Sequence, residues 1–483
     1  MHRRHFNLCR ASTGGVPRRA SYWLGAGLVL LAFGTTSALA QDGEDRPGVY
    51  RGQHIATITP DLVTTDLRDV APARRWQPGD PIKEVPRRHY RIPASDVRHL
   101  QPTTPRMDPL AELQRQTRAQ GSPAQRGQAR FPGQGFSGVQ PPDPVGDVGT
   151  QFYIQMINAG AGAQVQLYDK VTQAPVLASP VNLDVLGTGN CANGRGDPIV
   201  LYDSFAGRWL LSEFATVGNV LCVYVSITSN PFNGFFAYQF PTPFFPDYPK
   251  YGVGPDAYYV TTNEAAGPAI YALERSQMLA GAAASMQRFT APSLAGFGFQ
   301  ALTPGDLDGA GLPPAGTPAW IARHRDDEIH NVGSNDPTQD FLEIWALSVD
   351  FTTPANSTFT GPTNIGVAEF DSTLCGQFSF SCIPQPGTPV LLDPLREVIM
   401  WRLQYRVFGA FQVLVGNLVT DVNGLNQAGV RWFQLVKNGA GPWTLFEEGT
   451  FSPDADNRWM GSAAMDKLAN FVVIYNLSSS TTS

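Results

Sequence analysis

The sequence is poor in charge, in cysteine and in long apolar runs, and each shortage excludes something. Charged residues make up 16% of the 483, against about 25% in an average soluble domain. Their place is taken by 48 glycines and 40 prolines, as expected of many short strands joined by tight turns. Past residue 40 no stretch is apolar for the roughly 20 residues that a membrane helix needs, so no transmembrane segment is expected in the mature chain. Past residue 40 no Cys-x-x-Cys occurs and no histidine stands near a cysteine, which argues against a cysteine-based metal site. A P-loop, a dinucleotide fingerprint, His-Glu-x-x-His and a nucleophile elbow are missing too, so the chemistry each carries has no support.

What is present begins with an export signal. Arg3, Arg4, Arg10, Arg18 and Arg19 precede the apolar run Leu24–Phe33, and Ala38-Leu39-Ala40 before Gln41 fits a cleavage site. An apolar run of about ten residues is too short for a bilayer, so residues 1–40 read as a signal peptide rather than an anchor. Arg3-Arg4 leaves the twin-arginine route open. The mature chain is expected to be secreted, or held in the periplasm or cell envelope. Residues 41–130 are net basic and residues 131–483 strongly acidic. An acidic folded region repels phosphate backbones, so no nucleic-acid partner is expected.

Cys9 leaves with the signal, and Cys191, Cys222, Cys375 and Cys382 remain. An even number in an oxidising compartment points to two disulfides. Of the three possible pairings, the sequential one closes two local loops and is the one expected.

Residues 41–130 read as a poorly ordered basic linker or pro-segment. The stretch Gln101–Arg130 is mostly Gln, Arg, Pro, Ala and Thr, too apolar-poor to offset its ordering entropy. A bound strand or helix, with Leu110–Gln120 as the helix, is the alternative, and a partner-binding arm is the functional one. From Phe131 onward short runs of β-branched and aromatic residues alternate with Gly, Pro, Asp and Asn. Phe152–Ile157, Trp209–Leu211, Leu221–Ile227, Tyr258–Val260, Val398–Trp401, Phe411–Val415 and Phe471–Tyr475 all have strand character. Only Tyr271–Ala284 looks helical. The fold class expected for 131–483 is all-β.

A loose repeat narrows this further. A turn aspartate precedes an aromatic strand at Asp147, Asp203, Asp256, Asp393 and Asp466, and Asp306-Leu307-Asp308-Gly309 fits a hidden copy. Units of this size, each with several strands, suit a β-propeller of six or seven blades; a pair of β-sandwiches is the alternative. The stretches Pro142–Gly149, Asp203–Trp209, Arg323–Glu328 and Gly461–Asp466 resemble uncharacterised secreted bacterial β-propeller-like proteins. That resemblance implies a fold over residues 140–483 and no activity. It also implies a last blade incomplete at the C-terminus, unless an N-terminal strand closes the ring. Ala464–Phe471 is distantly similar to the sialidase turn, sharing Asp466 and the later aromatic but lacking its Ser and Gly; no arginine triad or Tyr–Glu pair accompanies it.

The densest polar cluster is Arg323-His324-Arg325-Asp326-Asp327-Glu328-Ile329-His330, with Asn331, Asn335 and Asp336 beyond it. It follows the strand-like Ala319–Ala322, so it is expected at a strand end or in a long loop, where scaffolds carry function. Asp326, Asp327 and Glu328 could ligate calcium, and His324 and His330 with an acid could hold a transition metal. A carboxylate pair there, with His324 beside it, could serve glycoside cleavage, and Arg323, Arg325 and His330 could bind a ligand. Alternatively the opposite charges simply pair along a solvated loop. Asp306-x-Asp308-Gly309 and Asp421-x-Asn423-Gly424 open like calcium loops. Neither has a glutamate at position twelve, so an EF-hand is excluded and a plain turn is expected. Arg195-Gly196-Asp197 spells an adhesion tripeptide. Phe235-Phe236 and Phe244-Phe245 could stack on sugars but suit a core better.

These features lead to a secreted propeller that serves as a binding scaffold for glycans or extracellular, cell-surface proteins. The alternative is a glycan-degrading hydrolase or lyase with its site in the propeller funnel, and a structural envelope protein is the third reading. The sequence names no cofactor outright; calcium is the first candidate and a transition metal at His324 and His330 the second.

Overall fold

The structure is a computed structural model that describes residues 48–86, 107–118, 131–294, 299, 301–330, 336–376 and 381–482. The expected signal, residues 1–40, lies outside them, as do Asn331 and Asn335.

The described chain is nearly all-β. Successive short strands fold into antiparallel meanders of four, because each is two to eleven residues long and bounded by turn formers. Sheet one runs Val145–Val148, Phe152–Ala159, Gly162–Asp169 and Val181–Asn182; sheet two runs Gly196–Asp203, Arg208–Ala215, Val220–Ser226 and Phe235–Pro241. Sheet three runs Asp247–Val253, Ala257–Glu264, Gly267–Glu274 and Ala284–Thr290. The next two meanders, Thr303–Asp308 to Thr358–Ala368 and Leu403–Phe408 to Trp443–Phe451, join in one nine-stranded sheet. Their first strands pair in parallel there, Gly305 with Leu403 through Asp308 with Arg406. A hairpin of Asn457–Met465 and Phe471–Ser478 follows. Thr303–Asp308 is therefore the first strand of the unit that the sequence had hidden. The stretch Tyr271–Ala284 is helical only over Arg275–Ala280, between two strands. Val398–Trp401 is not a strand. Val398, Ile399 and Met400 are buried in an irregular approach to Leu403–Phe408.

The first strands of the five meanders neighbour one another in order. Tyr202 N–H donates to Asp147 at 2.7 Å, Tyr248 N–H to Asp197 at 3.1 Å, and Val253 N–H to Asp306 at 2.8 Å. Arg402 brings the fifth back to the first, pairing with Asp147 at 2.9 Å as well as with Asp306 at 3.2 Å. These side chains satisfy backbone donors that no ladder reaches, which holds separate sheets in register around a common column. Between the meanders lie apolar layers, such as Leu201, Leu210, Val223, Tyr238, Tyr251, Tyr258 and Tyr271 between sheets two and three.

Within 41–130, the described strands and the one described helix match the bound strand-or-helix alternative. Gly48–Arg51 pairs with Thr358–Gly361, Gln53–Ile58 with Ala284–Arg288, and Asp61–Val63 with Phe235–Ala237. Strand addition of this kind takes its stability from main-chain hydrogen bonds to an existing edge, which composition does not register. Leu67 enters the sheet-one core. The helix Pro109–Arg118 is capped by Asp108, whose Oδ1 accepts Leu110 and Ala111 N–H at 2.9 Å. The other oxygen takes Thr450 Oγ1 at 2.8 Å and Arg431 at 3.4 Å, fastening the helix to the fifth meander.

The disulfides are Cys191–Cys222 and Cys375–Cys382, the sequential pairing. No described helix is long and apolar enough to cross a membrane.

Candidate functional site

The Arg323–His330 segment ends the strand Ala319–Arg325 and opens a short helix, Asp327–His330. It turns inward and does not form a solvated loop: Arg323, His324, Arg325, Asp326, Asp327 and His330 are all buried. Arg323 Nε donates to Glu343 at 2.9 Å and its Nη1 to Pro292 O at 2.8 Å, and Arg325 lies 3.6 Å from the same glutamate. Asp326 accepts Ser372 N–H and Oγ–H on one oxygen, at 2.8 and 2.9 Å, and Ile329 N–H on the other at 3.1 Å. Asp340, 13 residues on from Asp327, accepts its N–H at 2.9 Å and that of Phe370 at 2.7 Å. Both arginines are thus tied to structure and not displayed to a ligand.

Oxygens of Asp326, Glu328 and Asp340 lie within 4.8 Å of one another. Asp327, expected among calcium ligands, is not in that set, and Asp340 takes its place. Burial pushes the Asp326 carboxyl up to about 7 and the Asp340 carboxyl up to about 10, the latter raised also by Asp326 and Glu369. Such a group can be relieved by a proton as well as by a cation, and all four aspartate oxygens already accept hydrogen bonds. Burial holds His324 down at about 3 and His330 well below its usual value. Asp306 and Asp308 are elsewhere, on the column. Asp308 pairs with Arg406 at 3.1 Å and accepts from Gln404 at 2.6 Å, so both carboxylates are engaged by arginines rather than arranged as a calcium loop. Asp421 accepts Asn423 and Asn426 N–H, at 3.1 and 2.7 Å, closing its own turn.

A second polar group, which the sequence reading passed over, sits where the first three strands of the column begin. Asp143, Asp197 and Tyr248 hold φ of +38°, +51° and +53°. Each precedes a proline, Pro144, Pro198 and Pro249. Non-glycine residues rarely occupy this region, and such strain persists only where the surroundings enforce it, which is often at functional sites. Asn158 Nδ2 donates to Asp143 at 3.0 Å and its Oδ1 accepts Asp197 N–H at 2.8 Å; Asp197 in turn accepts Tyr248 N–H. A Cβ at Gly196 would lie 2.6 Å from Asn158 Oδ1, so glycine is required for that approach. Lys250 Nζ lies 3.7 Å from the centroid of the Tyr248 ring, and Asn263 donates to Asp247 at 2.8 Å.

Asp197, Asp247 and Lys250 are buried, whereas Asp143 and Tyr248 are half-buried, so the group reaches water. Burial pushes Asp197 well up, and the charge of Asp143 adds to that. Burial raises Asp143 too, but Lys250 and the Asn158 hydrogen bond oppose the rise. Burial lowers Lys250 against the pull of Asp197, Asp143 and Asp247. The adhesion tripeptide ends in this group, and its Asp197 is 6% exposed, which leaves no displayed loop for a receptor. The available signal was the recurrence of a residue followed by proline at 143, 197, 248 and 303, at the head of successive strands.

No protein-family model matches this chain, and no curated protein does. Among solved structures, it is similar to the endo-arabinase of Bacteroides thetaiotaomicron at 14% identity, covering 58% of this chain and 88% of that one, with a TM-score of 0.29. The subtype N10 neuraminidase-like protein of A/little yellow-shouldered bat/Guatemala matches at 10% identity, 69% and 91% coverage and a TM-score of 0.36. A thermostable family-43 glycoside hydrolase matches at 14% identity, 65% and 94% coverage and a TM-score of 0.29. At these scores none of the three lends a residue role to this chain.

Proposed function

We propose that the protein is a secreted β-propeller that cleaves glycans at the Asp143–Asp197 end of its strand column. The propeller reading is supported by four-stranded meanders in sequence order whose first strands are mutual neighbours. The observation that carries the site is a pair of aspartates at the heads of adjacent strands, both in strained left-handed backbone and joined by Asn158, which donates to the Asp143 carboxyl and accepts the Asp197 N–H. Glycoside cleavage needs one carboxyl that holds its proton and one that is ionised. Environments that push two pKa values apart assign those roles. Asp197, the more strongly raised, is the proton donor to the leaving oxygen, and Asp143, favoured in its charged form by Lys250, is the base or nucleophile.

The test is product release from a panel of polysaccharides and chromogenic glycosides by the mature chain, beside Asp143→Asn and Asp197→Asn. Release that falls by about 10²-fold or more in each variant supports this reading, the scale on which general acid–base groups contribute. Release that survives both substitutions moves the chemistry elsewhere. No release, with glycan binding that both variants weaken, would make the site a binding scaffold.

A further inference from the structure

Tyr248 is the third residue of the strained series at the strand heads, and the cleavage assigned to Asp143 and Asp197 does not use it. Its φ of +53° is the more unusual for a bulky ring. The residue is gripped from several directions. Its N–H donates to Asp197 at 3.1 Å, Lys250 Nζ lies 3.7 Å from its ring centroid, and the Phe299 ring meets it at 4.7 Å and 81°. Phe299 is anchored in turn, its N–H donating to the Glu397 carboxylate. An ammonium over an aromatic face is an attractive contact, so Lys250 acts here as a cation that fixes the ring.

What this grip presents is the phenol. The Tyr248 hydroxyl has no hydrogen-bond partner among the described residues, yet it is not one of the buried oxygens left without one, and the residue is half-buried. It therefore meets water. Tyrosines of the same sheet differ: the Tyr258 and Tyr259 hydroxyls donate to Asp203 and Asp256, both at 2.8 Å. Burial, with the charges of Asp143, Asp197, Asp247 and Asp393, keeps the Tyr248 phenol protonated, hence a donor. A rigidly held donor beside two carboxyl groups is a preorganised contact for a ligand hydroxyl.

Charge sets the ligand class. The group holds three carboxyl groups, of Asp143, Asp197 and Asp247, and one ammonium, that of Lys250. The arginines that enter with the fifth meander are already paired, Arg402 with Asp147 and Asp306, and Arg396 with Glu397 at 3.7 Å. An acidic group of this kind repels carboxylated sugars. We propose that Tyr248 positions a neutral sugar at this site by donating a hydrogen bond from its phenol to one of the sugar hydroxyls. This inference rests on the glycan reading of the site but not on hydrolysis.

The experiment compares the mature chain with Tyr248→Phe, which keeps the ring and removes only its oxygen. Both are tested for binding to soluble starch, laminarin and galactan, with polygalacturonate as the anionic comparison, and for hydrolysis of neutral nitrophenyl glycosides. Tyr248→Phe is expected to weaken neutral-glycan binding, or raise KM, by about three- to tenfold, the loss of one hydrogen bond. Its kcat should stay within about twofold, since a contact made equally in ground and transition states acts on KM. Its unfolding midpoint should stay within about 1 °C, because the hydroxyl bonds nothing in the protein; a merely structural tyrosine would shift the midpoint and leave KM alone. Unchanged binding and KM in Tyr248→Phe overturns the inference. So does tighter binding of polygalacturonate than of any neutral glycan, or no glycan binding by folded native protein. Neutral-glycan binding that the variant weakens, without hydrolysis, upholds this inference and ends the hydrolytic reading; hydrolysis with an unchanged KM does the reverse.

Discussion

Arg402 pairs with Asp147 across 255 residues of chain, Nη2 to Oδ2 at 2.9 Å, while its Nε lies 3.2 Å from Asp306. One guanidinium thus spans the first strands of the first and fourth meanders from the head of the fifth. Both carboxylates also accept a backbone N–H, from Tyr202 and Val253. A fork-shaped, always-charged donor is suited to this, and a lysine could not serve both acids.

Arg402→Leu should therefore destabilise the protein by about 3–5 kcal/mol, because it strands Asp306 in an apolar setting. Arg402→Lys should recover only part of that. Urea unfolding followed by tryptophan fluorescence measures both; a loss under about 1 kcal/mol, the range of exposed pairs, would mean the pair is not what holds the column.

The buried acids make a pH prediction with a definite sign. Asp340 folds with its carboxyl at about 10 and Asp326 at about 7, against about 4 when unfolded. A raised value means the folded state holds the proton more tightly, so this contribution is complete below pH 4 and is lost as pH rises toward those values. His324, held at about 3, works oppositely: its contribution is present above about pH 6.5 and is lost as pH falls below that. Asp340→Asn loses an acceptor at every pH, but its deficit relative to the native chain should shrink between pH 5 and pH 9. A deficit constant across that range would show that Asp340 is ionised throughout.

Much of the fold was legible in the sequence, and its central device was not. Strand character in Phe152–Ile157 or Leu221–Ile227 follows from side chains that a pleated, two-sided core selects, so it survives reading one residue at a time. The same holds for the local disulfides. Asp143, Asp197 and Tyr248 could not be found that way, since what distinguishes them is backbone geometry enforced by neighbours on other sheets. Arg323–Glu328 misled for a related reason: a charged run looks solvated until Glu343, Asp340 and Ser372, from later in the chain, are seen to engage it.

Calcium is expected to leave the unfolding midpoint within about 1 °C. A ligand stabilises only by its preference for the folded state, and the aspartate oxygens at Asp326 and Asp340 already hold backbone and hydroxyl donors. Differential scanning calorimetry in EDTA and in millimolar calcium, at pH 8 where a cation would meet least competition from protons, measures this. A rise of several degrees that Asp340→Asn abolishes would instead make Asp326, Glu328 and Asp340 a cation site.

The N-terminal strands make the last prediction. Gly48–Arg51, Gln53–Ile58 and Asp61–Val63 cover the outer edges of Thr358–Ala368, Ala284–Thr290 and Phe235–Pro241 in three different sheets. An uncovered strand offers unpaired N–H and C=O groups to any other chain. The edge that Asp61–Val63 covers carries Phe235 and Ala237, both buried. Starting the mature chain at residue 65 should therefore yield a protein that aggregates at concentrations where the native chain does not, before any large loss of far-ultraviolet β signal. Adding the peptide 45–64 in trans should restore solubility by pairing with the same edges. Light scattering across a concentration series reads both effects. A truncated chain as soluble as the native one would mean that these strands lie on the sheets without protecting them.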